Sequence, residues 1–151
     1  MTAKTTETLK RLTISVILYM VIAFIAGVVA ITQNLPAQFA GSSTGLTAPQ
    51  DFMYGMGTAL SPPLYLLPIQ TALLWLAQRK DRWGKAGVAG LTLLGLMTCF
   101  GALGEPINRR ILNPATFEPV KAALMSAMIL IPVVIVVFGL MEWTRRRREK
   151  I

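Results

Sequence analysis

Glu105, Asn108 and Arg109 are the residues of this chain whose types and spacing best suit a reaction or a bound ligand. A carboxylate, an amide and a guanidinium close together can orient a small polar group, and a guanidinium suits a carboxylate or a phosphate. Gly104 and Pro106 end the apolar segment before them, so we expect these side chains at the mouth of a helix bundle. The structural alternative is an interfacial ion pair of Arg109 with Glu105 or Glu118, with Asn113 capping a turn at Pro114.

A second candidate site lies deeper in the apolar segments. Pro68 and Pro132 each remove a backbone donor, and two kinked helices that meet near the middle of a membrane would leave a pocket between them. In the alternative interpretation, Gln70 hydrogen-bonds a carbonyl that a proline has freed. The side chains that we expect to line the pocket are Tyr19, Tyr65, Gln70, Thr71 and Thr98.

Four apolar segments must position these residues: about 12–32, 57–77, 86–103 and 120–141. The chain of 151 residues is 54% hydrophobic and 15% charged, against roughly 25% charged in soluble proteins. Segments of this length and composition span a bilayer as helices. We therefore predict an all-α fold, an integral membrane four-helix bundle in one domain, with kinked second and fourth helices. The prolines of the second segment also allow a short re-entrant entry.

The basic residues predict how such a bundle lies in the membrane. The N-terminal tail holds three of the fifteen Lys and Arg residues, the loop 79–85 holds four, and the C-terminal tail holds five. Basic loops remain on the cytoplasmic side, so both termini should be cytoplasmic, in a multi-pass protein of the cell membrane. Basic residues that flank spans anchor to lipid headgroups, which makes the bilayer the expected partner and disfavours nucleic acid.

Several classes of chemistry are disfavoured by what the sequence lacks. There is no histidine, which excludes His-ligated haem, His-based metal sites and His general bases. The single cysteine, Cys99, cannot form an internal disulfide and is best interpreted as a small buried residue. No apolar segment carries a charge at mid-depth, which disfavours a proton-driven pump. We predict no cofactor and no metal.

Small residues in the third and fourth segments suggest close helix contacts. Gly90, Gly101 and Gly104 precede the second polar loop, and Ala123 and Ala127 follow it. Small residues at three- and four-residue spacing allow helix backbones to approach. Packing inside the bundle is the interpretation we favour, and contact with a second copy or another membrane protein is the alternative.

The loop after the third segment also carries a family resemblance. Pro106, Ile107, Asn108 and Ile111, in a chain of about 150 residues with four spans, resemble the anthrone oxygenase-like family of small membrane proteins. That family commonly shows a segment with Trp, Asn and Arg before its last helix, where this chain has the sequence of 117–121, Phe-Glu-Pro-Val-Lys. The resemblance implies a cofactor-independent, oxygenase-like role or a related small-molecule role.

Three functions follow as hypotheses. The first is a non-catalytic accessory or assembly protein, which the absence of buried charge and of a specific motif favours. The second is a small enzyme or binder that acts on an apolar molecule, with Glu105, Asn108 and Arg109 as candidate catalytic residues. The third, and weakest, is a homo-oligomeric channel or transporter, which would need a polar path through the bilayer.

Overall fold

The computed structural model describes residues 2–39, 42–106 and 117–148. These residues form five α-helices: α1 Thr2–Thr32, α2 Ala48–Tyr54, α3 Leu66–Ala77, α4 Arg82–Gly104 and α5 Pro119–Arg148. Between α1 and α2, strands β1 Gln38–Phe39 and β2 Ser42–Ser43 form a short antiparallel pair, with Gln38 opposite Ser43. The described part of the chain is mainly helical, as its composition predicts.

Three of these helices are long and apolar enough to cross a membrane. They are α1 over the 26 residues Glu7–Thr32, α4 with 23 residues and α5 with 30. A helix rises about 1.5 Å per residue, so even α4 exceeds the roughly 30 Å of a hydrocarbon core. At 12 residues, α3 is apolar but rises only about 18 Å. The membrane class predicted from the sequence is confirmed by these three helices.

Helix α1 buries one narrow face and exposes large apolar side chains on the other. The residues that are at most 1% exposed recur every three or four positions: Leu12, Val16, Tyr19, Ala23, Ala26 and Ala30. Much of the opposite surface is large and apolar, including Ile17, Val21, Phe24 and Val28, each about half exposed. A soluble helix carries charged and polar residues on the face away from the core. An apolar outer face fits a helix that packs through one face and meets lipid on the other.

Helices α4 and α5 contact each other through glycines. A Cβ built on Gly95 of α4 lies 3.1 Å from Val136 Cγ2 of α5, and one built on Gly139 of α5 would overlap the Thr92 hydroxyl of α4. On another part of α4, a Cβ on Gly87 would overlap the backbone of Ala77 in α3. Each glycine removes a side chain where two backbones approach, which is how membrane helices pack closely.

The second apolar segment differs from the kinked helix predicted over 57–77. Residues 57–65 are not helical, and α3 begins only at Leu66, after Pro62-Pro63. Gly57 has a φ of +102°, and the Thr58 N–H bonds the Ser61 carbonyl in a tight turn. Pro68 lies in the first turn of α3, where its missing N–H costs no helical hydrogen bond. Pro132, by contrast, lies inside α5, which continues past it.

The ends of the helices lie in two groups, one at each end of the described fold. The Gln78 amide donates to Thr13 Oγ1 near the start of α1, and Arg146 of α5 donates to the Ala77 and Arg79 carbonyls at the end of α3. We call this the basic end. The opposite end is covered by the described residues from 33 to 65, which we call the cap. Phe52 of the cap packs against Gly27, and Ser61 Oγ donates to the Ala23 carbonyl 2.7 Å away.

Candidate functional site

Glu105 is the one predicted catalytic candidate whose place the structure describes. It follows the last residue of α4, and its Oε2 accepts the Gln38 N–H of the cap at 3.3 Å. Burial raises the pKa of its carboxyl from the ordinary 4.5 to about 7; the Gln38 amide acts in the opposite direction, and the nearby Asp51 charge adds to the increase. Asn108 and Arg109 lie outside the described residues.

Asp51 of α2 is a buried carboxylate that the sequence analysis did not single out. It is 0% exposed, and its Oδ2 accepts the Ala37 N–H at 3.1 Å and the Thr44 hydroxyl at 2.7 Å. Its Oδ1 has no hydrogen-bond partner among the described residues and lies against Gly55. The signal in the sequence was a single acid within a long loop without basic residues.

The two carboxylates accept hydrogen bonds from consecutive backbone amides at the start of β1. Asp51 accepts from Ala37, just before the strand, and Glu105 accepts from Gln38, its first residue. Asp51 thereby fixes the strand within the cap, and Glu105 fixes it to the end of α4. Both are hydrogen-bond acceptors that join segments of the fold.

The five residues predicted to line a central pocket are divided by the structure. Tyr19, Gln70 and Thr98 are buried, whereas Tyr65 is 46% exposed and Thr71 is exposed. The hydroxyl of Tyr19 and the carbonyl oxygen of Gln70 have no hydrogen-bond partner among the described residues. Thr98 of α4 lies close to Tyr19. The structure therefore buries three of the five side chains and leaves Tyr65 and Thr71 at the surface of the described residues.

Most helix hydroxyls are used within their own helices. Thr71 donates to the Leu67 carbonyl at 2.9 Å, Thr92 to Val88 at 2.8 Å and Thr98 to Leu94 at 2.9 Å. Such a bond from Ser or Thr to the carbonyl four residues earlier satisfies the hydroxyl without another helix. These side chains consequently add little polarity to the space between helices.

Of the five residues predicted to pack helices, Gly90 contacts another helix closely. A Cβ on Gly90 would lie 2.6 Å from Leu73 Cδ2 of α3. A Cβ on Gly101 meets nothing within 4 Å among the described residues, and Gly104 and Ala123 are exposed. Ala127 is half-buried. The prediction of internal packing does not describe Gly101, Gly104 and Ala123, because the buried face of α4 runs instead through Gly84, Gly87, Val88, Leu91, Thr92, Gly95 and Thr98.

A buried ionic cluster at the basic end was also missed. Glu142 of α5 is 0% exposed, and its carboxylate bonds Arg145 and Arg146 at 2.6 Å. Arg146 also bonds the Ala77 carbonyl at 2.7 Å and the Arg79 carbonyl at 3.1 Å. The sequence showed four successive arginines and could not show which one turns inward. Arg146 supplies hydrogen bonds to the end of α3, where helix carbonyls lack partners.

Each tryptophan of the chain carries an arginine over its ring, all at the basic end. The guanidinium carbons lie 5.7 Å from the ring centroid for Arg79 over Trp75, 5.6 Å for Arg82 over Trp83, and 5.5 Å for Arg147 over Trp143. These are cation–π distances. Tryptophan with arginine is typical of the headgroup region of a bilayer.

The part of the chain that the structure describes contains no group of three or more His, Cys, Asp or Glu side chains placed to hold a metal ion. No protein-family model, curated protein or solved structure matches this chain.

Proposed function

We propose that this protein is a non-catalytic integral membrane protein of the accessory or assembly type, which supports a membrane-protein partner. The observation that supports the proposal most directly is the hydrogen bond that Glu105, the candidate acid, accepts. Its carboxylate accepts the Gln38 N–H and ties the cap to α4. A carboxyl group that joins two segments of the chain through its acceptor oxygen has a structural role, which supports the non-catalytic interpretation.

In this proposal the chain crosses the cell membrane four times, with both termini in the cytoplasm. Three long apolar helices support the membrane location. The fourth crossing requires α3 together with residues 57–65, because α3 alone is too short. Non-helical backbone at membrane depth is tolerated where protein covers it. The Ser61 bond to the Ala23 carbonyl and the Leu64 N–H bond to the Phe52 carbonyl provide such cover.

The orientation follows from the charge at the two ends. The helix ends that carry Arg79, Arg82 and Arg145–Arg148 lie together at the basic end. The cap carries the acid Asp51 and no Lys or Arg. Positive charge is retained on the cytoplasmic side during insertion. The basic end is then cytoplasmic, and the part of the cap before residue 57 faces the opposite side.

The partner surface in this proposal is the cap-side half of α4. Phe100 is 69% exposed and Leu103 is 54% exposed, and a Cβ on Gly101 between them would meet no described residue within 4 Å. Large apolar residues beside a glycine allow a second transmembrane helix to approach closely. The partner is another membrane protein or a second copy of this chain.

The test is native mass spectrometry of the protein extracted gently from its own membrane, together with Gly101→Leu. Leu at 101 has room within the described chain, so the protein should fold and insert normally while a defined partner or second copy is lost from the complex. Ala72→Leu, on an exposed position of α3, is the control and should retain the partner. A bare chain before any substitution, or equal loss from both variants, would contradict the proposal.

A small binder or enzyme for an apolar molecule, as the anthrone oxygenase-like resemblance implies, is the second candidate. It is favoured by the buried oxygens of Tyr19 and Gln70, which have no hydrogen-bond partner within the part of the chain that the structure describes. Buried polar atoms without partners are rare and often mark a functional position. The same spectra would then contain a small molecule of defined mass. Tyr19→Phe and Gln70→Leu should each reduce its retention, and an unchanged amount in both variants would contradict this candidate.

A further inference from the structure

The basic end of α4 carries an open groove of about 350 Å³, lined by Arg82, Trp83 and Ala86. Trp83 is 50% exposed, and the Arg82 guanidinium lies over its ring. Among the described residues Arg82 forms no ion pair, whereas its neighbour Arg79 is paired with Asp81 at 2.8 Å. Trp83 thus forms an aromatic side of the groove and Ala86 a small apolar surface, and Arg82 supplies a positive charge that no described carboxylate pairs with.

The apolar surface of α4 continues from this groove toward the middle of the helix. Ala86 and Ala89 are exposed, and one turn further Leu93 is 58% exposed and Met97 is 60% exposed. Positions 82, 86, 89, 93 and 97 are separated by three or four residues, so they lie along one face. A charged head at one end and an apolar track below it match an amphiphile lying parallel to the helix.

We propose that this groove binds an anionic phospholipid, with the headgroup phosphate at Arg82 and an acyl chain along Ala86, Ala89 and Leu93. Guanidinium binds phosphate through paired hydrogen bonds, and tryptophan prefers the headgroup region. The inference rests on the proposed membrane placement, since the groove must lie at headgroup depth. It assigns the groove to a lipid molecule of the surrounding bilayer rather than to another protein.

The test uses Trp83 as a local reporter of bound lipid. Trp75→Phe with Trp143→Phe leaves Trp83 as the only tryptophan. The protein is reconstituted in vesicles of phosphatidylcholine, and its fluorescence is quenched with brominated phosphatidylglycerol or brominated phosphatidylcholine. We expect about fivefold preferential quenching by the anionic lipid, the ratio that corresponds to about 1 kcal/mol for one basic residue near a membrane surface.

Two variants separate a specific site from general surface charge. Arg82→Gln should abolish the preference, whereas Arg148→Gln, which removes the same charge from an exposed position on α5, should retain it. Equal quenching by the two lipids, or equal loss in the two variants, would overturn the proposal. So would complete displacement by aqueous glycerol phosphate, which would identify a phosphate site that does not use acyl chains.

A second measurement avoids the tryptophan substitutions. Native mass spectrometry of the otherwise unaltered protein, released from nanodiscs of mixed phosphatidylglycerol and phosphatidylcholine, should show retained phosphatidylglycerol that is lost in Arg82→Gln and retained in Arg148→Gln. Retention independent of Arg82 would overturn the site while leaving the membrane proposal intact. Failure of the protein to enter vesicles or nanodiscs at all would overturn both.

Discussion

Gly139 of α5 lies directly against the hydroxyl of Thr92 of α4, at a distance that leaves no room for a Cβ at position 139. Thr92 Oγ1 occupies the volume that a Cβ at 139 would need, while it donates to the Val88 carbonyl of its own helix. On the same interface Gly95 of α4 receives Val136 of α5. Each of the two helices thus contributes one glycine to the contact between α4 and α5.

Gly139→Ala should destabilise the protein by about 1–3 kcal/mol, the usual effect of overpacking. The measurement is the free energy of unfolding in mixed micelles of a mild detergent and sodium dodecyl sulfate. Gly101→Ala is the matched control. Because its Cβ meets open space, it should be neutral or stabilising by up to about 1 kcal/mol.

Adding Thr92→Ala to Gly139→Ala tests the cause. Removing the hydroxyl takes away the atom with which the new Cβ collides, so the double variant should be more stable than Gly139→Ala alone. A simple sum of the two single effects would show that the two residues are not coupled and that the contact is wrongly described.

Glu142→Gln should destabilise the protein by about 3 kcal/mol, because Arg145 and Arg146 would lose the carboxylate that compensates them in a buried setting. The same unfolding assay measures it. Glu7→Gln breaks an exposed pair with Arg11 and is the control, with an expected effect below about 1 kcal/mol. Similar effects of the two substitutions would contradict the buried position of Glu142.

The stability of the protein should fall as the pH rises from about 4.5 to about 7. The pKa of Glu105 is raised by burial to about 7 in the folded protein, so over this range the unfolded chain releases its proton first. The unfolded state then binds fewer protons, and the free energy of unfolding decreases with pH. Below about 4.5 the carboxyl is protonated in both states, and its favourable contribution is fully present.

Glu105→Gln should remove this part of the pH dependence, since an amide does not titrate. The comparison is the difference in unfolding free energy between the wild type and the variant across pH 4 to 8. Glu118→Gln, at an exposed pair with Lys121, is the control and should leave the slope unchanged. A Glu105 carboxyl signal that titrates near 4.5 in ¹³C NMR would contradict the buried environment.

Asp51→Ala should loosen the cap without unfolding the long helices. The buried carboxylate accepts both hydrogen bonds on Oδ2, so alanine leaves the Ala37 N–H and the Thr44 hydroxyl without this acceptor, at about 1–3 kcal/mol for each. Hydrogen exchange at the amides of Ala37 and Gln38 should accelerate, while exchange in α4 and α5 remains unchanged. Protection that is uniform across the chain, or lost everywhere, would show that the cap is not a separate unit.

Sequence patterns predicted the long helices well, because apolar length is a local property. The segments 12–32, 86–103 and 120–141 all fall within helices of the structure. They failed over 57–65, where the average hydropathy resembled a span but Gly57 and Pro62-Pro63 impose a turn. The conformation of the backbone at these few positions prevents a helix there, and hydropathy carries no information on backbone conformation.

The candidate site was predictable only in part. Glu105 was found because it lies among other polar residues next to a helix end. Asp51 was not, since it accepts the N–H of Ala37, 14 positions away. Glu142 was not, since its pairs with Arg145 and Arg146 are local but its burial depends on the neighbouring helices. The small-residue pattern of α4 was detected, but the face was misjudged: Gly95 is buried against α5, whereas a Cβ on Gly101 meets none of the described residues. Which face of an apolar helix is buried depends on its neighbours rather than on its own sequence.

The bonds from Arg146 to the Ala77 and Arg79 carbonyls also bear on how the chain is made. They join residues 69 and 67 positions apart, so the end of α3 leaves the ribosome long before the arginine that completes it. During co-translational insertion the α3–α4 turn lacks these bonds until the last helix has been released. The shortest apolar helix is therefore completed last, and a nascent chain that stalls before residue 146 would present an unfinished turn to membrane quality control.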